Sequence, residues 1–154
     1  MHKINWKFDN TYSKLSETFR EFVKPTPVHN PEIVIFNHQL AKELNLDFSK
    51  ISNIELSKIF SGNSIPQETQ TLAQAYAGHQ FGHFTMLGDG RAVLLGEHLD
   101  NKKNRYDIQY KGSGRTSFSR GGDGRAALGP MLREYLISEA VHSLNIPTTR
   151  SLAV

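Results

Sequence analysis

A chain of 154 residues, 38% hydrophobic and 21% charged, is long enough for one domain with its own core and too apolar to be intrinsically disordered. It has no cysteine, which excludes a disulfide framework, a thiolate metal centre and a cysteine nucleophile within these residues. The formal charge of +3 is mildly basic, and no apolar run approaches the length of a bilayer span.

In chain order, the opening Met1-His2-Lys3-Ile4-Asn5-Trp6-Lys7 has no apolar stretch of the signal-peptide kind, and a cytoplasmic chain is expected. Leu15, Phe19, Phe22 and Val23 recur at helical spacing and predict a helix over 12–22, closed by Pro25-Thr26-Pro27, whose rings fix an extended backbone. Phe19, Phe22 and Phe36 are expected in the core. Ile33, Val34 and Ile35 form a β-branched run that predicts a short strand, and Asn37 is placed to cap a helix through Leu40, Ala41, Leu44 and Leu46. A second helix over 54–60, capped by Asn53, stops at Gly62, and Pro66 opens a third from Gln67 to about Ala77. Residues 1–75 therefore read as a helical and extended cap, and 76–154 as the portion that carries the chemistry.

Past Tyr76 glycine becomes frequent. Residues 91–97 and 105–111 predict two strands joined by a turn over 100–104, with Lys111 on the polar face beside Asp107 and Gln109. After a glycine-rich loop to Gly124, Pro130 suits the first position of the strongest helix. Its stripe is Leu132, Leu136, Ala140 and Leu144, widened by Tyr135 and Ile137, and Asn145 and Pro147 stop it. Glu134 falls off that stripe, at the edge facing the sheet, and residues 151–154 look like the start of a further strand. The expected fold class is α+β, a small, mainly antiparallel sheet with packed helices.

The chemistry concentrates in one stretch. Gly-Asp-Gly-Arg-Ala occurs twice, from Gly88 and from Gly122, on either side of Lys111-Gly112-Ser113-Gly114. Glycine lets backbone N–H groups approach an anion, while Arg91, Lys111 and Asp123 offer charge to a phosphate, a metal or a ribose. The surrounding Arg105, Arg115, Arg120, Arg125 and Arg133 outnumber Asp107, Asp123 and Glu134, which favours an anionic ligand. A strand lysine, a glycine loop and a helix glutamate in that order is how kinases aim an ammonium at nucleotide phosphates. The same residues also read as a surface lysine and glutamate that never meet, and as two ordinary Asp-Gly turns, although a turn alone gives no reason for an arginine after both. No Walker or dinucleotide fingerprint is present. His79 and His83 stand four apart, but Gly82 and the missing zinc-hydrolase glutamate favour packing over metal. Packing is likewise the expected role of Tyr106, Tyr110 and Phe118. A non-catalytic basic module for nucleic acid or another polyanion is the rival reading.

From Tyr76-Ala77-Gly78-His79-Gln80-Phe81-Gly82 through both GDGRA copies, Lys111-Gly112-Ser113-Gly114 and Arg133-Glu134 to Ile146-Pro147-Thr148-Thr149-Arg150, the chain closely resembles the selenoprotein O family, and the resemblance extends over essentially its whole length. The resemblance implies a protein-kinase-like N-lobe with an N-terminal helical extension, belonging to a protein adenylyltransferase. Such enzymes bind ATP in a flipped pose with Mg²⁺ and move AMP onto Ser, Thr or Tyr hydroxyls of protein substrates. It further implies that Lys111 binds the nucleotide with Glu134 as its helix partner, and that Gly88, Gly90, Arg91, Asp123 and Gly124 line it. The family's catalytic aspartate, its metal ligands and its redox-active C-terminus would lie beyond Val154, so these residues alone are expected to be inactive. Neither nucleic acid nor membrane is implied as a partner.

Overall fold

The computed structural model describes residues 4–154; Met1, His2 and Lys3, which open the segment read for a targeting signal, lie outside the described residues. No helix among the described residues is long and apolar enough to cross a membrane. Five strands, β1 (Arg20–Phe22), β2 (Leu72–Gln80), β3 (His83–Gly88), β4 (Ala92–Leu99) and β5 (Arg105–Lys111), form one antiparallel sheet in the order β1-β2-β4-β5, with β3 on the far half of β2. Val93, Leu94 and Leu95 are buried in succession, so β4 is covered on both faces and forms the sheet's centre. The helices are α1 (His38–Glu43), α2 (Asn53–Phe60) and α3 (Leu128–Ser143), which makes the chain α+β as expected.

The strands over 92–99 and 105–111, their turn at 100–104 and the helix near 128–143 follow the sequence reading. Asn37 does cap α1, accepting from Leu40 N–H at 2.9 Å. Ser52 rather than Asn53 caps α2, in a reciprocal capping box with Glu55. α1 ends short of Leu46 and α3 ends at Ser143 for one shared reason. Asn45 (φ 59°) and Asn145 (φ 60°) adopt the left-handed conformation, and Leu46 N–H and Ile146 N–H bond back to Ala41 O and Val141 O, closing each helix in a Schellman turn. The strands expected over 33–35 and from 151 are not formed as such: the two segments meet in a single antiparallel bridge, Phe36 to Ala153, with Val154 N–H bonded to Ile35 O.

Two predicted helices are not formed. Residues 12–22 make two 3-10 turns, Tyr12–Lys14 and Glu17–Phe19, and then β1. Arg20, Glu21 and Phe22 must be extended to pair with Gln74, Ala73 and Leu72. Buried Glu97 also holds the segment before them, accepting from Tyr12 N–H at 2.6 Å and from the Thr11 hydroxyl. Phe19 and Phe22 are exposed, and Arg20 lies 4.1 Å over the Phe22 ring; only Phe36 of the expected trio packs inside, against Phe48 and Phe60. The stretch from Gln67 to Ala77 is mostly β2 instead of helix. Leu72 and Ala73 are buried between β1 and β4, and Ala75 to Gln80 pair with β3, so sheet contacts override the helix preference of Leu, Ala and Gln. β2 thereby runs through the expected boundary at 75/76 and ties both portions into one sheet.

Residues 7–9 continue β2's side of the sheet along β4, with Leu99 N–H bonded to Lys7 O and Asp9 N–H to Glu97 O. Gly96 is required there, since a Cβ would stand 2.5 Å from the Phe8 ring. His98, 1% exposed, accepts from Lys7 N–H through Nδ1 and donates to Leu44 O through Nε2 at 2.8 Å. Burial, helped by nearby Lys7, lowers its pKa against the opposing pull of the Leu44 carbonyl and Asp100. Below about pH 6.5 the unfolded histidine takes a proton that the folded one refuses, so stability is full above that pH and falls beneath it. Urea midpoints measured between pH 7.5 and 5.5 should decline, with His98 contributing to the slope below its unfolded-state pKa. A His98→Asn variant should lose that part of the slope; equal slopes in both proteins would refute the assignment.

Candidate nucleotide site

Lys111 is the last residue of β5, opposite Ala92 at the start of β4. Its neighbour Gly112 donates N–H to Arg91 O at 2.6 Å, so strand pairing sets the first GDGRA copy directly alongside the lysine. Lys111 Nζ donates to Glu134 Oε2 at 2.7 Å and Oε1 at 2.9 Å. The reading in which these two never meet is overturned. Both side chains are exposed, 41% and 49%, and an ion pair that wet contributes at most about 1 kcal/mol to folding. The pair thus orients an ammonium at the surface more than it holds the molecule together.

The glycine turns are stitched under this pair. A Cβ on Gly88 would lie 2.3 Å from the Phe118 ring and one on Gly90 2.7 Å from Phe118 O. Thr116 Oγ1 donates to Asp89 O and Ser119 Oγ to Gly90 O, each at 2.6 Å. Ser119 O accepts from Gly122 N–H at 2.8 Å, and Gly114 N–H donates to Gly124 O at 3.1 Å. Gly88, Gly90, Arg91, Lys111, Asp123, Gly124 and Glu134 are therefore brought into one connected region by the 112–124 loop.

The two pentapeptides repeat in sequence and differ in conformation. Asp89 is buried and accepts from Gln74 N–H at 3.0 Å and Gln109 Nε2 at 3.4 Å; burial pushes its carboxyl above the usual range against those two bonds. Asp123 is exposed and accepts only locally among the bonds seen, from Arg125 N–H at 2.9 Å. Arg91 is exposed. Arg125 instead donates to Thr26 O and Pro27 O, so the second arginine has a structural employment that a turn reading did not foresee. Thr26 N–H in turn donates to Ser113 O at 2.8 Å, making Pro25-Thr26-Pro27 a strap across the glycine loop.

Neither Asp-Gly pair is a hairpin turn. The β2–β3 hairpin turns at Phe81 (φ 59°) and Gly82 (φ 81°), the doubly positive geometry of a two-residue loop. His79 faces Phe84 and His83 faces Gln80 across that hairpin, so the helical spacing of the histidines has no counterpart. Among the described residues no three His, Asp or Glu side chains converge on a metal position. Tyr110 is buried with its hydroxyl on Ile59 O at 2.8 Å, and Phe118 covers Gly88, so these two rings pack as expected, whereas Tyr106 is exposed. Thr116 and Ser119, which the sequence reading does not single out, form a Thr-x-x-Ser between glycine turns, a recognisable stitching signal.

The strand lysine, helix glutamate and stitched glycine turns define a domain of the class that presents one oriented cation beside close-approach backbone. By sequence, the chain belongs to the protein adenylyltransferase SelO family, whose description matches residues 2–154. It is 68% identical over 151 residues to the protein nucleotidyltransferase YdiU of Pelagibacter ubique (strain HTCC1062), covering 98% of this chain and 31% of that protein. It is 63% identical over 150 residues to the protein of the same name from Anoxybacillus flavithermus (strain DSM 21510 / WK1), covering 97% and 31%. The chain thus spans about a third of the length of these relatives.

Proposed function

We propose that these residues are the lobe-like, nucleotide-holding part of an ATP-dependent protein adenylyltransferase that moves AMP from ATP onto Ser, Thr or Tyr hydroxyls of proteins. The observation that carries the reading is the two-pronged Lys111–Glu134 bond at an exposed strand end. An ammonium has three donors; with the carboxylate occupying one side, the rest is directed outward for a phosphate. Exposed Arg91 adds charge beside it, and Gly88, Gly90, Asp123 and Gly124 line the approach. In the transfer, a protein hydroxyl oxygen bonds to the α-phosphorus, the α–β bridging bond breaks, and pyrophosphate leaves with the electron pair while the hydroxyl proton passes to a base. Charge grows on the α-phosphate and on the departing pyrophosphate, and Lys111 and Arg91 are the cations assigned to it.

No cluster of three or more His, Asp or Glu side chains that could hold Mg²⁺ is found among the described residues. The metal's ligands and the catalytic base are assigned to the part of the relatives that this chain does not span. The test is a chimera in which residues 1–154 replace the matching segment of a full-length relative. Incubated with Mg²⁺ and ATP, it should attach label from α-labelled ATP to protein and none from γ-labelled ATP. Transfer of the γ-label would make it a kinase. Salt-sensitive RNA binding with no labelling at all would favour the polyanion module instead.

A further inference from the structure

α3 carries Glu134, yet none of its residues is buried and Leu136, Ile137 and Leu144 are exposed. The expected packing of its apolar stripe on the sheet does not occur among the described residues. The seam that fixes this helix is charged. Arg150 donates through Nε to Glu139 Oε1 and through Nη2 to Glu139 Oε2, both at 2.8 Å, and through Nη1 to Glu43 Oε2 on α1 at 2.5 Å. Its side chain is 11% exposed, against 41% for Lys111. Arg150 also leads into the extended residues that anchor to the α1 entrance, where Asn37 N–H donates to Leu152 O at 2.8 Å and Val154 N–H to Ile35 O at 3.0 Å. The bonds from Arg150, foremost among the influences on Glu139, hold that carboxyl below its ordinary range.

We propose that Arg150 is a positioning residue: by clamping Glu139 of α3 to Glu43 of α1, it sets where Glu134 stands and hence where Lys111 points. Glu139 stands five positions after Glu134, about 7.5 Å along a helix, so a displacement at the clamp passes rigidly to the glutamate. The exposed Lys111–Glu134 pair is too weak to hold a helix against such a shift, whereas a planar fork on two carboxylates fixes both distance and direction. This inference rests on Lys111 being the nucleotide lysine.

A double-mutant cycle in the chimera tests it, reading ATP affinity and kcat/KM for AMP transfer at fixed salt together with the melting temperature. Arg150→Gln should lower kcat/KM about tenfold, and in a Glu134→Gln background it should cost less than about twofold more, because the two act in series. Arg150→Lys should behave like Arg150→Gln, since an ammonium lacks the fork. Where Arg150→Gln does not fold, Glu139→Gln takes its place in the same cycle. Losses that simply multiply, or that follow the melting temperature and vanish on cooling, would show a merely structural residue and overturn the proposal alone. A Lys111→Ala variant with unchanged ATP affinity would overturn the nucleotide reading and this one with it.

Discussion

Replacing Lys111 by alanine in the chimera is expected to lower kcat/KM for AMP transfer by about 10²–10³-fold, the scale on which removal of one preorganised charge donor is felt. Stability should barely move. The pair with Glu134 is exposed on both sides, so its loss costs at most about 1 kcal/mol. That contrast separates a working cation from a structural one. Glu134→Gln preserves the shape of the acceptor but not its charge, leaving the ammonium present and less firmly aimed, and about a tenfold loss is expected. If Lys111→Ala retained full transfer, or if its loss tracked unfolding, the assignment of Lys111 to the phosphates would be wrong.

Why the lysine and its partner were visible in the sequence while much of their frame was not has a physical answer. β5 alternates polar and apolar residues from Arg105 to Lys111, and the stop at Asn145 is a local signal; both are written within a few residues. Their meeting needed only that helix and strand end come together. β2, in contrast, is built of Leu, Ala, Gln and Tyr, a composition that favours helix until β1, β3 and β4 supply pairing partners from distant parts of the chain. The hairpin at Phe81-Gly82 was hidden because phenylalanine is an unusual occupant of a left-handed position. Arg150 was hidden for the opposite reason. Its two acidic partners lie eleven and 107 residues away, and nothing local marks an arginine as a clamp.

The glycine turns teach a related point about how loss of activity should be read. Gly124→Ala is expected to destabilise the chain by about 3 kcal/mol or more, at the upper end of single substitutions. Gly124 has φ +69°, where a side chain already costs about 1–2 kcal/mol. A Cβ there would also stand 1.9 Å from Gly114 O and 2.7 Å from Arg115 N. Both are backbone atoms of the turn it is stitched to, so neither can swing aside. Relief requires the two turns to separate, which breaks the Gly114–Gly124 bond and loosens the Ser113–Thr26 strap beyond it. Gly121→Ala is the matched control: its φ is +86°, but a Cβ there would meet nothing within 4 Å, so only the conformational cost of about 1–2 kcal/mol should appear. Urea unfolding of the two variants measures the difference, and equal midpoints would dismiss the stitched-turn account. A large difference would mean that glycine at 124 is demanded by the fold even with no nucleotide nearby. Loss of AMP transfer on changing Gly124 would then report a collapsed turn, whereas the same loss at Lys111, with the melting temperature intact, reports the chemistry.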